Sequence, residues 1–419
     1  MEHKAVQRKD FDFDLDDRTE QIVMNNVMAI ETDDDDELKT EIFGPVDSFT
    51  PLPGADFDMD KLSIQPPGKY RFIRSIGFGG MKTVTKVHDR DTGRNIAMAS
   101  IPDAAERNPQ DLLRFIHEAF ITARLEHPNI VPVHDIGIDS SGAPYFTMKL
   151  LRGYTLARLL KRLRNGEPQI TAKYNEGRLL FIFMRICNAV GFAHSQQIIH
   201  LDLKPENIHV GEFGEVSVID WGLAKYLGKP GTDDPQGKVK KNNSDIEQVE
   251  TSSGIARGTP GYMSPEQAAG LNERKDRRSD IYSLGAILYK MLTLQQPFSG
   301  SKVDEILRNT IAGKITPPNQ LSDLPHLIPV ALEAIILKAM HRNPDKRYQD
   351  INELREDLFA YIGGHATNAE SPGTLKKLAM FFKRNLHFSL FFIVLILLLI
   401  GSGFLIWLYY NGILEISLN

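Results

Sequence analysis

The sequence is poor in cysteine and has no apolar segment at its N-terminus. Its single cysteine, Cys187, excludes an intramolecular disulfide framework and fits a reducing compartment. Cys187 stands in an apolar helical run, where a buried and unreactive thiol is expected. Without an apolar stretch after Met1, no signal peptide is expected. The sequence is therefore not typical of a small secreted domain held together by disulfides.

Formal charge is absent from residues 388–410, a stretch of twenty-three residues rich in Leu, Ile and Phe. As a helix this stretch is about 34 Å long, against roughly 30 Å of bilayer hydrocarbon, so it predicts one C-terminal transmembrane helix. Lysines and arginines precede it and none follows it. The positive-inside rule then predicts a cytoplasmic N-terminal part and a short extracytoplasmic tail.

Acidic charge dominates the first 66 residues, which hold eighteen Asp or Glu and six Lys or Arg. Self-repulsion and few apolar residues predict a largely disordered arm, in which residues 19–30 could form a short helix. Further on, strand-like and helix-like segments alternate, interrupted by a polar loop over residues 228–254. The predicted divisions are an acidic arm at 1–66, a folded domain at 67–363, a basic juxtamembrane linker at 364–387, the transmembrane helix at 388–410 and the tail at 411–419.

Four short motifs follow one another in the folded domain. The first, Ile76–Val84, is a glycine-rich turn between two strands, in which backbone N–H groups can approach phosphates closely. The other three are His200–Asn207, Asp220–Gly222 and Gly258–Glu266. In order and spacing these three resemble the catalytic loop, the metal-binding turn and the substrate-binding segment of eukaryotic-type (Hanks-type) serine/threonine protein kinases, and the match covers roughly residues 70–363.

The resemblance implies an α+β, bilobal protein kinase fold, with a small β-rich N-lobe, a larger helical C-lobe, and ATP and Mg²⁺ in the cleft between them. It implies that Asp202 orients the substrate hydroxyl and accepts its proton, while Lys204 steadies the transferring phosphate. Asn207 and Asp220 would hold Mg²⁺, since oxygen ligands suit that hard cation. Glu118, in a helix-like segment, matches the glutamate that pairs with the family's phosphate-binding lysine.

Other positions match the family's nucleotide pocket and its scaffold. By resemblance, the phosphates would lie against Gly77, Gly79 and Gly80, and the adenine against Val84, Ala97 and Met148. His209 occupies a position beneath the adenine that is usually aliphatic. Glu266 and Arg347 resemble the family's structural ion pair.

Two substitutions depart from the family pattern at functional positions. The lysine of the third strand is replaced by Ala99, whereas Lys82 stands where the glycine-rich turn normally has its third glycine. The with-no-lysine (WNK) kinases show the same exchange, so we hypothesise that Lys82 supplies the missing ammonium from the neighbouring strand, facing the phosphates and Glu118. Leu201 replaces the arginine that pairs with a phosphorylated activation loop, so that phosphate switch lacks its main cation.

These patterns predict a membrane-anchored serine/threonine protein kinase that transfers the ATP γ-phosphate to protein hydroxyls, including its own. The motif spelling resembles bacterial members of the family, which predicts an inner-membrane location with a cytoplasmic kinase domain and the C-terminus outside. The alternative is a catalytically silent pseudokinase, a signalling scaffold that binds nucleotide or partners. Ala99 and Leu201 favour that alternative, and the intact Asp202, Asn207 and Asp220 oppose it. A homodimer is possible, no nucleic-acid partner is expected, and the acidic arm could inhibit by lying across the substrate cleft.

Overall fold

The structure, a computed structural model, describes most of the folded domain and one helix near the C-terminus. The described residues are 62, 64, 68–78, 82–102, 107–227, 258–298, 300, 302–324, 326–370 and 386–411. Nearly all of the predicted acidic arm, the polar loop, most of the juxtamembrane linker and nearly all of the tail lie outside the described residues.

The small lobe is built on a five-stranded antiparallel sheet. Its strands are β1 (Tyr70–Phe78), β2 (Thr83–Asp89), β3 (Arg94–Ser100), β4 (Val133–Ile138) and β5 (Pro144–Met148). In the sheet they lie in the order β1-β2-β3-β5-β4, each antiparallel to its neighbour. One helix, α1 (Pro109–Arg124), packs against β4 and β5.

The small-lobe core forms where alternate residues of β3 and β5 turn toward α1, because successive strand residues point to opposite faces. Ala99 and Phe146 are opposite each other in the ladder and are buried together with Phe115 and Ile116 of the helix. The ring centroids of Phe115 and Phe146 are 5.0 Å apart. This packing holds α1, and with it Glu118, against the sheet.

The large lobe is mainly helical. Its helices are α2 (Leu156–Arg164), α3 (Pro168–Lys173), α4 (Glu176–Ser195), α5 (Pro265–Ala268), α6 (Arg277–Thr293), α7 (Val303–Ala312), α8 (Val330–Ala339) and α9 (Ile351–Ile362). The first turn of α4 is capped by Asn175, whose side chain accepts a hydrogen bond from the backbone N–H of Arg178. Cys187 in α4 is fully buried, as predicted, and burial raises the pKa of its thiol.

Two small sheets lie at the base of the cleft. The first contains β6 (Gly153–Thr155), β8 (Ile208–Gly211) and β9 (Val216–Val218), and the second pairs β7 (Ile198–Ile199) with β10 (Lys225–Tyr226). Asn129 holds the β8–β9 hairpin, because its side-chain amide donates to Val216 O at 2.9 Å and its carbonyl accepts from Val218 N at 2.8 Å. The hairpin starts directly after Asn207 and ends two residues before Asp220, so it connects the two predicted metal ligands.

A buried ion pair joins the start of α5 to the segment before α9. Arg347 donates from both terminal nitrogens to the two carboxylate oxygens of Glu266, each at 2.8 Å. Ser279 Oγ also donates to Glu266, and Arg347 donates to the carbonyl of Arg278. The predicted structural pair is therefore confirmed, and its additional hydrogen bonds offset the cost of burying two charges.

The sheet and helices of the described residues confirm the predicted α+β organisation, with a β-rich N-terminal lobe and a helical C-terminal lobe. The predicted transmembrane segment falls in the 25-residue helix α10 (Leu386–Tyr410). Counted over the described residues alone, no helix is long and apolar enough to cross a membrane. The span therefore stays a prediction.

Candidate active site

Asp202 lies at the centre of a hydrogen-bonded cluster between β7 and β8. Thr259 Oγ1 donates to Asp202 Oδ1 at 2.9 Å, and Lys204 Nζ lies 3.0 Å from Asp202 Oδ2. Lys204 Nζ also donates to Thr259 Oγ1 at 2.9 Å. Asn207 Nδ2 reaches both the carbonyl and Oδ2 of Asp202, at 3.0 and 3.1 Å. These contacts fix the orientation of the carboxylate and bring three of the predicted site residues together.

Asp280, which is fully buried in α6, holds the loop that carries Asp202. Its two carboxylate oxygens accept hydrogen bonds from the backbone N–H groups of His200 and Leu201, at 2.8 and 2.9 Å. Gln267 Nε2 donates to the carbonyl of Leu201 at 2.8 Å. The sequence prediction gave Asp280 no role. A carboxylate directly before a largely apolar helical run is the signal that could have found it, because a buried charge needs partners.

Lys82, Glu118 and Asp220 meet at the other side of the site. Lys82 Nζ donates a hydrogen bond to Glu118 Oε1 and lies 3.0 Å from Asp220 Oδ1. Lys82 directly precedes β2, Glu118 belongs to α1 and Asp220 follows β9, so both lobes contribute. Ala99, on β3, is fully buried in the small-lobe core. A Cβ at Gly222 would lie 3.4 Å from Asp220 Oδ1, so the glycine leaves room for this cluster.

One ammonium thus faces two carboxylates. Burial favours the neutral form of the Lys82 amine, but Asp220 and Glu118 outweigh it and hold the pKa of Lys82 above its ordinary value. Burial acts on Asp220 too, but the Lys82 ammonium prevails and lowers the pKa of Asp220 to about 2. Burial raises the pKa of Glu118 to about 7, against the attraction of Lys82. With Glu118 ionised, the cluster has an excess of negative charge that a bound cation would offset.

The residues at this position suit Mg²⁺. Mg²⁺ keeps several waters and is usually bound by one or two protein oxygens together with substrate phosphates, rather than by an all-protein cage. Asn207 uses its amide nitrogen on Asp202, which leaves the amide oxygen as the atom that can ligate. Ile219 N donates to Asn207 O at 2.9 Å and ties Asn207 to the strand end before Asp220. The described residues contain no group of three or more His, Cys, Asp or Glu that could hold a metal ion.

The predicted nucleotide-pocket residues lie on neighbouring strands of the small lobe. Gly77 is opposite Val84 in the β1–β2 ladder, and Ala97 is opposite Met148 in the β3–β5 ladder. Gly79 and Gly80, the other two predicted phosphate-binding glycines, lie outside the described residues.

His209 lies on β8, opposite Thr155 on one side and Ser217 on the other. Burial lowers the pKa of His209 to about 4, and the carboxylate of Glu215 opposes this only in part. The side chain is therefore an uncharged imidazole at neutral pH. His209 is thus a polar residue at a position where the family resemblance predicts an aliphatic one.

The chain is similar to known protein kinases. The family described as protein kinase domain matches residues 70–359. The serine/threonine-protein kinase PknD of Protochlamydia amoebophila is 36% identical over 310 residues, which cover 71% of this chain and 30% of that protein. The proteins of the same name from Chlamydia trachomatis serovar D and Chlamydia pneumoniae are 37% identical over 304 residues and 34% identical over 299 residues. The chain spans only 30 to 32% of the length of these three curated relatives.

Proposed function

The chain belongs to the protein kinase domain family, and on that premise we propose that it transfers the γ-phosphoryl group of ATP to serine or threonine hydroxyls of proteins, itself included. The similar proteins named as serine/threonine-protein kinases support this choice of acceptor. So does Thr259, whose hydroxyl joins Asp202 to Lys204. We further propose that Lys82 takes the place of the lysine missing at Ala99.

The observation that carries the proposal is the contact of Lys82 with Glu118 and Asp220. A phosphate-binding lysine needs a carboxylate that aims its ammonium into the cleft, and Glu118 is in hydrogen-bond contact with Lys82. The ammonium also lies 3.0 Å from Asp220, beside the proposed metal position. A lysine at residue 99 would start from a Cα inside the small-lobe core, where Ala99 is fully buried.

The chain's own residues account for the transfer step. Asp202, oriented by Thr259 and Asn207, accepts the proton of the substrate hydroxyl as the hydroxyl oxygen forms a bond to the γ-phosphorus. The bond from that phosphorus to the bridging oxygen breaks, and ADP leaves with the electron pair. Lys204, 3.0 Å from Asp202, neutralises charge on the transferring group. Mg²⁺, when it is held by Asn207 and Asp220, supplies charge neutralisation between the phosphates.

The test is phosphoryl transfer from labelled ATP by the full-length chain, with Mg²⁺ and a basic protein substrate. We expect labelling of serine and threonine in the substrate and in the chain itself, and loss of about 10³-fold or more with Asp202→Asn. Asp345→Asn, a substitution of an exposed aspartate outside the site, is the control and should leave the rate unchanged.

A chain that transfers no phosphate, but whose melting temperature rises with Mg-ATP, would refute the enzyme proposal. That result would favour a scaffold that binds nucleotide without turnover. Ala99 and Leu201, where the family pattern has a lysine and an arginine, are the features of the sequence that keep this second function open.

We also propose that α10 anchors the kinase domain to a bacterial inner membrane, with that domain in the cytoplasm and the tail outside. The support is the sequence of residues 388–410, which carries no formal charge and is rich in Leu, Ile and Phe. Trp407, Tyr409 and Tyr410 cluster at one end, as in an interfacial aromatic belt. Lysines and arginines precede the helix only, which supports the orientation.

A further inference from the structure

A cavity of about 350 Å³ opens on the large lobe, outside the active site. It lies between α4 and the turn of the β8–β9 hairpin, and Tyr174, Arg178, Phe181, Arg185 and Phe213 contribute to its lining. The side chain of Phe213 is 83% exposed and that of Phe181 is 48% exposed. Two exposed aromatic rings beside a cavity form an apolar surface that a partner can cover.

The cavity wall is also basic. Arg178 stacks over the ring of Tyr174 and Arg185 over the ring of Phe181, with 5.6 and 4.7 Å from guanidinium carbon to ring centroid. Within the part of the chain that the structure describes, neither arginine forms an ion pair with a carboxylate. The hairpin turn carries two acidic residues, Glu212 and Glu215, and Glu215 accepts a hydrogen bond from the backbone N–H of Phe213. The surface therefore combines aromatic rings with positive charge that carboxylates could meet.

We propose that residues 10–17 of the same chain dock on this surface. Their sequence, Asp-Phe-Asp-Phe-Asp-Leu-Asp-Asp, alternates carboxylates with large apolar side chains. Phe11 or Phe13 suits the aromatic cavity, and the neighbouring aspartates suit Arg178 and Arg185. Residues 33–36, a block of four aspartates, offer carboxylates to the arginines but no apolar side chain to the aromatic cavity.

The connection along the chain allows this contact. About 45 residues separate the docking segment from Leu62, which packs on the small-lobe core, and a flexible chain of that length has an end-to-end distance of roughly 35–40 Å. A tether of that length gives an effective concentration of about a millimolar for a surface within its reach. A second acidic and apolar segment, residues 56–60, ends two residues before Leu62, so its connection to the small lobe is much shorter.

The docked segment would contact the hairpin that connects the two candidate metal ligands. Phe213 and Gly214 form its turn, whereas Asn207 precedes its first strand and Asp220 follows its second. The arm would then lie against the large lobe on the α4 side of that hairpin. This differs from an arm that lies across the substrate cleft, and the two positions predict different cross-links.

Cysteine cross-linking in the full-length chain tests the proposal, because Cys187 is buried. Thr19→Cys is placed just after the docking segment and combined with Glu212→Cys beside the cavity. The matched control combines Thr19→Cys with Glu273→Cys, an exposed glutamate that does not line the cavity. We expect the first pair to form an intrachain disulfide at least about ten times faster than the control pair.

Charge substitutions then identify the contact in the Thr19→Cys, Glu212→Cys chain. Arg178→Gln with Arg185→Gln should slow the disulfide about fivefold or more, and so should Asp12→Asn with Asp14→Asn. Asp34→Asn with Asp35→Asn changes the net charge by the same amount but leaves residues 10–17 intact. The rate of disulfide formation should therefore stay within about twofold of the parent rate. The arm substitutions lie outside residues 70–359, the range that matches the protein kinase family.

Two results would overturn the proposal. Equal rates for the Glu212→Cys and Glu273→Cys pairs would mean that the arm does not dock at the cavity, which would leave the surface to a separate partner. A disulfide that forms only between chains, in mixtures of the two single-cysteine variants, would assign the surface to a second copy instead.

Discussion

Leu201 and Asp220 both adopt the left-handed backbone conformation, at φ 64° and 63°. Non-glycine residues rarely do so, at a cost of about 1–3 kcal/mol each, and such residues cluster at functional sites where neighbouring contacts hold them. Asp280 holds the backbone N–H of Leu201, and Lys82 holds the side chain of Asp220. At the scale of single residues, the site is thus held in part by Asp280, a buried carboxylate that does not itself touch a substrate.

Asp280→Asn should lower kcat while leaving the KM for ATP nearly unchanged. The amide nitrogen of asparagine cannot accept a hydrogen bond, so the backbone N–H of either His200 or Leu201 loses its acceptor. An unsatisfied buried donor lowers the free energy of unfolding by about 1–3 kcal/mol. Steady-state kinetics and urea unfolding measure the two effects.

Asp357→Asn is the matched control for that substitution. Asp357 is also buried and also accepts from two backbone N–H groups, those of Asn368 and Ala369, but its contacts are in the C-terminal part of the large lobe. Asp357→Asn should lower the free energy of unfolding by a similar amount and leave kcat unchanged. Equal kcat losses for both variants would show that Asp280 has no positioning role.

His209→Leu should make the domain less sensitive to acid. Burial lowers the pKa of His209 to about 4, below its ordinary value of 6.5, so the unfolded chain binds the proton more readily than the folded chain. The folded state therefore loses stability as the pH falls from about 6.5 toward 4, by up to about 2 kcal/mol at pH 5.

Urea unfolding at pH 7.5 and pH 5 measures this difference. The His209→Leu chain should lose less free energy of unfolding between the two pH values than the parent does. His326→Leu, at an exposed histidine, should follow the parent. If His209→Leu follows the parent as well, then His209 is not the buried neutral imidazole that the structure indicates.

At the scale of elements, α6 is the central support of the large lobe. It carries Asp280 toward the catalytic loop and packs closely against α8. The close approach requires Gly285, because a Cβ there would meet Met340 Cγ at 2.6 Å and Ala339 Cβ at 2.9 Å. The helix pair could not come together in the same way with a larger residue at this position.

Gly285→Ala should therefore destabilise the large lobe by about 1–3 kcal/mol, although alanine is the better helix former. Gly177→Ala in α4 is the same chemical change, at a glycine whose added Cβ would have no contact closer than 3.8 Å. That variant should be neutral or slightly more stable. Thermal unfolding measures the melting temperatures of both variants. Equal melting temperatures would contradict the argument that Gly285 is required for close packing.

At the scale of the whole molecule, motif order predicted the two-lobed fold and the residues that meet in the cleft. It did so because local motifs such as His200–Asn207 place their polar residues within a few positions of each other. The role of Asp280 and the cavity beside Phe213 were not predicted, because both depend on residues far apart in sequence. The hydrogen bond from Leu201 to Asp280 spans 79 positions, a distance that no local pattern encodes.

The proposed membrane attachment also concerns the whole chain. The full-length protein should sediment with membranes and stay there through alkaline carbonate extraction, whereas Ile396→Arg with Leu399→Arg should release it. Each charge near the centre of a span costs about 2.5–3.5 kcal/mol on insertion scales. Ile396→Ala with Leu399→Ala is the control that should remain bound. Recovery of the arginine variant in the extracted membranes would count against α10 as the anchor.

The central claim is that Lys82 serves in place of the lysine missing at Ala99, and single-turnover transfer from labelled ATP tests it most directly. Lys82→Met should lower the transfer rate about 10²–10³-fold. Lys86→Met, at a lysine within β2 that forms no ion pair with Glu118 or Asp220 in the described residues, is the control and should retain the rate. A Lys82→Met chain that melts like the parent and transfers phosphate at the parental rate would contradict the account.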